Sequence, residues 1–181
     1  FTGIAEKLEP VETREMLNEF FNSIVNILLD YKATIDKFLG DGIMALFGAP
    51  LPTQAHIAQA IDAAIDMQHA HKELCNKWAS KSYPAPPLGI GINTGHVVVG
   101  TIGTSSRMDY TAIGHAVNLA ARLCHIAEGG EILIGEPSYK EFVDLLDKGK
   151  LSPRHSFEFI AVGEIRLKGL SSSISVYSIK Y

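Results

Sequence analysis

Two pairs of polar side chains four positions apart, and one threonine between them, are the parts of this 181-residue sequence whose types and spacing suit chemistry. Lys37 and Asp41 flank the run FLG, so a cation and a carboxylate meet at a turn. They either face one polyanionic ligand from two sides or decorate a solvated hairpin, since Asp-Gly is a common hairpin signal. Asn118 and Arg122 lie four apart in the pattern HAVNLAARLCHIAE, which puts them on one face of a helix. Their ends can reach one ligand, or they form an ordinary solvated pair. Thr111 sits in the short run YTAI just before that helix. At the other end, Phe1-Thr2-Gly3 leads toward a helix, where free backbone N–H groups suit phosphate oxygens or Thr2 simply caps.

The elements that must hold these residues follow from periodicity. Ala33–Leu39 and Ile43–Phe47 read as a hairpin around Gly40-Asp41-Gly42. Before it, Pro10 opens a helix running to about Asp30, with Met16, Phe20, Ile24 and Leu28 at helical spacing. After it, a Pro-bounded loop precedes a long helix bearing Ile57, Ile61, Ile65 and Trp78. His56, His69 and His71 are not spaced as metal ligands and are expected to be exposed. Tyr83–Pro87 ends that helix. A second hairpin is expected from Leu88–Asn93 and His96–Ile102 around Thr94-Gly95, then a polar loop over Gly103–Asp109 and a strand over Tyr110–Ile113. Gly114 breaks into the Asn118/Arg122 helix, and Gly129-Gly130 ends it. Glu131–Ile134 reads as strand, Glu136–Leu146 as helix, and short strands close the chain. The fold class is α+β with a mainly antiparallel sheet. With a strand supposed before Phe1, the core resembles a ferredoxin-like βαββαβ sandwich, with helices on one face and extra C-terminal strands and a helix.

Composition narrows the classes. Apolar residues make up 46% and charged ones 20%, and the formal net charge of -4 argues against a chain that lives on nucleic acid. No basic, aromatic strand signature of an RNA-binding module is present. No run of about 18 apolar residues offers a membrane span, and no signal peptide is apparent. Cys75 and Cys124 stand singly in helical patterns, as reduced, packed thiols do. A cytoplasmic setting is expected for this part, with a membrane tether possible elsewhere in a longer protein. The start at Phe1 leads us to expect a fragment with its first strand upstream, residues 1–181 forming one domain.

In order along the chain, FTGIAE, KFLGDGIMALFG, GINTGHVVVGTIG, YTAIGHAVNLAAR and RLKG resemble the catalytic domain of class III adenylyl and guanylyl cyclases. Thr111, where many relatives carry Asp, resembles the subgroup that includes cyanobacterial and soluble bicarbonate-responsive adenylyl cyclases. His115 departs from the Asp common in that family, with an expected effect on the helix start or a dimer contact.

The resemblance implies a homodimer with each active site built from both chains, ATP as substrate, and cyclic AMP and pyrophosphate as products. It implies two Mg²⁺ (or Mn²⁺) ions bound by Asp41 and a carboxylate upstream of Phe1. Lys37 and Thr111 would read the adenine edge, Asn118 would orient the ribose, and Arg122 would donate to the α-phosphate. Phe1, Thr2 and Gly3 would meet the β- and γ-phosphates, with Lys168 on the triphosphate. An upstream sensor or regulatory domain and a response to bicarbonate are further implications. The alternatives are a guanylate cyclase, against which Lys37 and Thr111 argue because guanine readers in the family use Glu and Cys there, and a catalytically silent nucleotide-binding regulatory domain.

Overall fold

The computed structural model describes residues 8–166 and 173–181. Among them are four helices and eight strands. Helix α1 (Pro10–Asp30) starts with proline at a position that needs no N–H, while the Glu12 carboxylate accepts the Glu9 N–H at 3.2 Å. Its apolar stripe of Met16, Phe20, Ile24 and Leu28 packs with Trp78 of α2 (His56–Ser80). The Trp78 indole donates to the Glu19 carboxylate at 2.7 Å, so its one polar atom is satisfied where it is buried.

Between these helices, β1 (Thr34–Leu39) and β2 (Gly42–Leu46) form the expected hairpin. Their two-residue turn is Gly40-Asp41, and positive φ falls on Gly40 (65°), the first central position, where a type II′ turn needs glycine. The second expected hairpin does not form. Instead, β3 (Ile90–Ile92) pairs in parallel with β6 (Ile132–Gly135), and β4 (Val98–Thr104) pairs antiparallel with β5 (Arg107–Ile113). What reads as a polar loop over Gly103–Asp109 is the turn and start of this ribbon, closed at Ser105-Ser106. Thr94-Gly95 is a connection in which the Thr94 N–H donates to Ser138 Oγ at 2.6 Å.

The main sheet has the order β3-β6-β8-β7, with β7 (Glu158–Ile165) and β8 (Ile174–Lys180) antiparallel. Alternation along β6 divides the core. Ile132 and Ile134 pack against Ile57, Ile61 and Ile65 of α2 and Phe142 of α4 (Glu136–Asp147). Leu133 turns to the other face, against Leu119 and Leu123 of α3 (His115–Ile126). Helices therefore cover both faces of this sheet, and α3 adds a layer beyond the one-sided sandwich expected. Each fully buried Ile or Leu there contributes about 1.5–3 kcal/mol. The approach of α3 to β3 depends on Gly91, because a Cβ there would lie 2.2 Å from the Cys124 backbone nitrogen.

Three side chains differ from expectation. His71 is buried, its Nε2 donating to the Pro86 carbonyl at 2.7 Å, because the Pro-rich segment folds back over α2. His56 is half-buried and pairs with Glu141 at 3.2 Å, while His69 stays exposed. Both cysteines are free, but only Cys75 is partly packed; Cys124 is exposed. No described helix is long and apolar enough to cross a membrane.

Candidate active site

Lys37 and Thr111 meet at a residue the sequence reading did not single out. Strand β1 carries a bulge between Ile35 and Lys37, and Asp36 is the extra residue there. Bulges re-aim side chains, and this one turns the Asp36 carboxylate under β5 until only 1% of the side chain is exposed. Thr111 Oγ1 donates to Asp36 Oδ2 at 2.8 Å, and the Ala112 N–H donates to Oδ1 at 3.1 Å. The Lys37 ammonium stands 3.5 Å from the same Oδ2, itself half-buried. Across the ribbon Thr111 pairs with Gly100, whose missing side chain leaves space: a Cβ there would meet nothing within 4 Å. Thr111 itself is buried, at 6% exposure, and the open room lies across the ribbon from it at Gly100. A signal for Asp36 was present, since a carboxylate inside the apolar run Ile35–Leu39 needs a partner.

Strand β5 runs through Gly114 directly into α3, whose Asn118 is exposed and whose Arg122 is half-buried. Arg122 Nη1 is buried without a hydrogen-bond partner among the described residues. A guanidinium nitrogen left so is costly unless a ligand or another chain supplies an acceptor. His115 lies exposed at the first turn of α3, three residues before Asn118.

Asp41 is exposed at the hairpin tip, where a Cβ on Gly40 would meet nothing within 4 Å. Desolvation, with the Asp41 charge as a lesser contribution, holds the Cys124 thiol above its ordinary pKa, against a lowering by the Gly91 backbone hydrogen bond. Although Cys124 is exposed as a residue, its sulfur lies in toward the Gly89 carbonyl at 3.5 Å, which accounts for that desolvation. No group of three or more His, Cys, Asp or Glu suited to a metal occurs among the described residues. Mg²⁺ rarely needs such a cage: it binds one or two carboxylates and takes the rest from phosphates and water. A hard, exposed carboxylate at an open tip fits a share of such a site. Phe1, Thr2, Gly3 and Lys168 lie outside the described residues.

Hairpin and ribbon thus bring the Lys37 ammonium and the Thr111 hydroxyl to one buried carboxylate, and α3 carries a guanidinium nitrogen without a partner among the described residues. The family model described as "Adenylate and Guanylate cyclase catalytic domain" matches residues 1–181, and the chain belongs to that family. An adenylate cyclase of Anabaena cylindrica is 33% identical over 187 aligned positions, covering 99% of this chain and 34% of that protein. An adenylate cyclase of Rhizobium meliloti is 27% identical, with 26% of its length covered. The chain thus spans about a third or less of these curated relatives. Among solved structures, the adenylyl cyclase CyaB from P. aeruginosa superposes with a TM-score of 0.88 at 35% identity, covering 99% of this chain and 88% of that one. The guanylyl cyclase Cya2 superposes at 0.84 with 31% identity, covering 99% and 85%.

Proposed function

We propose that this chain is an adenylate cyclase domain, a phosphorus–oxygen lyase that converts ATP to 3′,5′-cyclic AMP and pyrophosphate as a head-to-tail homodimer. The observation that carries this reading is the meeting of Lys37 and Thr111 at the buried Asp36 carboxylate. An ammonium donates to the ring N1 of adenine, which is an acceptor, whereas N1 of guanine carries a proton. A hydroxyl beside it accepts from the 6-amino group.

Arg122, with its buried nitrogen unsatisfied, donates to the α-phosphate as the ribose 3′ oxygen attacks in line and pyrophosphate leaves. Its planar fork suits phosphate oxygens. Asn118, one turn earlier on α3, holds the ribose. Asp41 would help to hold two Mg²⁺ (or Mn²⁺) ions, whose charge would activate the nucleophile and neutralise the leaving group. Thr2, the amides of Phe1–Gly3 and Lys168 take the outer phosphates.

The homodimer is supported by the β4–β5 ribbon, which exposes apolar side chains on both faces: Val98 (67%), Ile102 and Ile113 on the Thr111 face, Met108 (62%) and Tyr110 on the other. A two-stranded ribbon is marginal alone, and such exposure favours a covering partner. Residues 1–181 are proposed as one catalytic domain, cytoplasmic, within a longer protein that also carries a sensor or regulatory domain. A guanylate cyclase is the second reading, favoured by the likeness to Cya2; the Lys37 ammonium opposes it.

The test is product formation from ATP and GTP by the purified domain with saturating Mg²⁺ or Mn²⁺. ATP is expected to be preferred by about 10- to 1,000-fold in kcat/KM, from donors and acceptors left unpaired by the wrong purine. Lys37→Glu with Thr111→Cys should erode the preference. Equal turnover of both nucleotides, or no cyclic product, would end this reading.

A further inference from the structure

We infer that Asp36 sets the purine preference by fixing the direction in which the Thr111 hydroxyl proton points. The inference rests on the adenylate cyclase reading and adds to it a positioning residue that touches no substrate.

A hydroxyl has one proton to donate and two lone pairs. The Thr111 proton is committed to Asp36 Oδ2 at 2.8 Å. The other oxygen, Oδ1, receives the Ala112 N–H from the next residue of β5, so the carboxylate cannot turn away without orphaning a backbone donor. With its proton held inward, Thr111 presents only lone pairs to the open space beside Gly100. A 6-amino group there is accepted. A 6-oxo group meets lone pair against lone pair. Asp36 also stands 3.5 Å from the Lys37 ammonium, so one carboxylate orients both groups assigned to the base edge. Burying a carboxylate is expensive without such partners, and the bulge in β1 that places it would otherwise weaken the hairpin.

An exchange of Asp for Asn keeps the shape and reverses hydrogen-bond polarity at one atom; it also removes the charge beside Lys37, an effect that purine riboside triphosphate, which offers N1 but no 6-substituent, reports separately. In Asp36→Asn the amide oxygen keeps the Ala112 N–H, and the amide nitrogen then faces Thr111 as a donor. The hydroxyl accepts from it and turns its own proton toward the base, the polarity that a 6-oxo purine wants.

The experiment measures kcat/KM for ATP, GTP and purine riboside triphosphate, which lacks a 6-substituent, in the unmodified domain, Asp36→Asn and Thr111→Val. For Asp36→Asn the expected result is a fall in the ATP/GTP ratio of about 10- to 100-fold, the size of one buried hydrogen-bond mismatch. Purine riboside triphosphate should change far less than ATP. If Thr111→Val lowers the ratio but Asp36→Asn scales all three nucleotides equally, the carboxylate is merely structural and the inference fails while the adenine assignment stands. If Thr111→Val leaves the ratio untouched, the adenine assignment itself fails. Should Asp36→Asn not fold, nuclear magnetic resonance on the unmodified domain decides. A slowly exchanging Thr111 hydroxyl proton close to Asp36 is expected, and a freely exchanging one overturns the inference.

Discussion

Asp41 stands exposed at the tip of the β1–β2 hairpin, and Arg122 is half-buried on a separate element, within α3. In the proposed head-to-tail homodimer, this carboxylate would hold metal in one site while this guanidinium serves the other.

Complementation tests that arrangement. Asp41→Ala and Arg122→Ala chains should each be nearly inactive, and mixing them should restore up to about a quarter of the unmodified activity, because mixed dimers retain one intact site. Cyclic AMP production before and after mixing is the measurement; a mixture as inactive as its parents would argue for sites within single chains.

Arg122→Ala should lower kcat by about 10²–10³-fold with a much smaller change in KM, the signature of a preorganised donor engaged as charge shifts in the transition state. Steady-state kinetics beside sedimentation of the same sample separates outcomes. A raised KM at constant kcat would make Arg122 a ground-state contact, and dissociation into monomers would make it structural.

The exposed ribbon should be the dimer's contact surface. Val98→Glu with Tyr110→Glu places a charge on each face of β4–β5 and should yield a folded monomer with little activity. Sedimentation velocity reads the outcome, and an unaltered dimer would relieve the ribbon of this role.

His71 gives a stability prediction with a sign. Desolvation lowers its pKa more than its hydrogen bond to Pro86 raises it, so the native state binds its proton less readily than the unfolded chain does. The contribution is complete above the unfolded value of roughly 6.5 and is lost as pH falls toward the lower native value. Melting temperature should therefore decline between pH 7.5 and 5 more steeply in the unmodified domain than in His71→Gln. Parallel curves would show that His71 does not titrate across unfolding.

The turn and the helix that carry the residues proposed for chemistry were legible because their local patterns are strong. Gly40-Asp41 between two apolar strands, and Asn118 and Arg122 in one helical repeat, need only neighbours to be read. Asp36 was overlooked because its meaning depends on a bulge and on Thr111, 75 positions away. The parallel pairing of β3 with β6 was hidden for a related reason: Ile90 meets Ile132 across a whole ribbon and helix, and nothing near Thr94-Gly95 announces that. The β4–β5 hairpin was masked by the polar tip at Ser105-Ser106, although Val98–Thr104 and Arg107–Ile113 could have been aligned around it. His71 misled because its burial comes from the distant fold-back of Pro86.

The hairpin β1–β2 carries Lys37 on one strand and Asp41 at its tip, four residues apart on a stiff two-residue turn. In a dimer with shared sites, Lys37 reads the base in one active site while Asp41 of the same hairpin works in the other. The two reaction centres are then the two ends of one short lever, and filling one tilts the half of the machinery that its neighbour borrows. Independent, additive sites would be the less natural behaviour for such a linkage. The rate against ATP concentration should depart from a simple hyperbola, and in mixed dimers with one disabled site the departure should vanish.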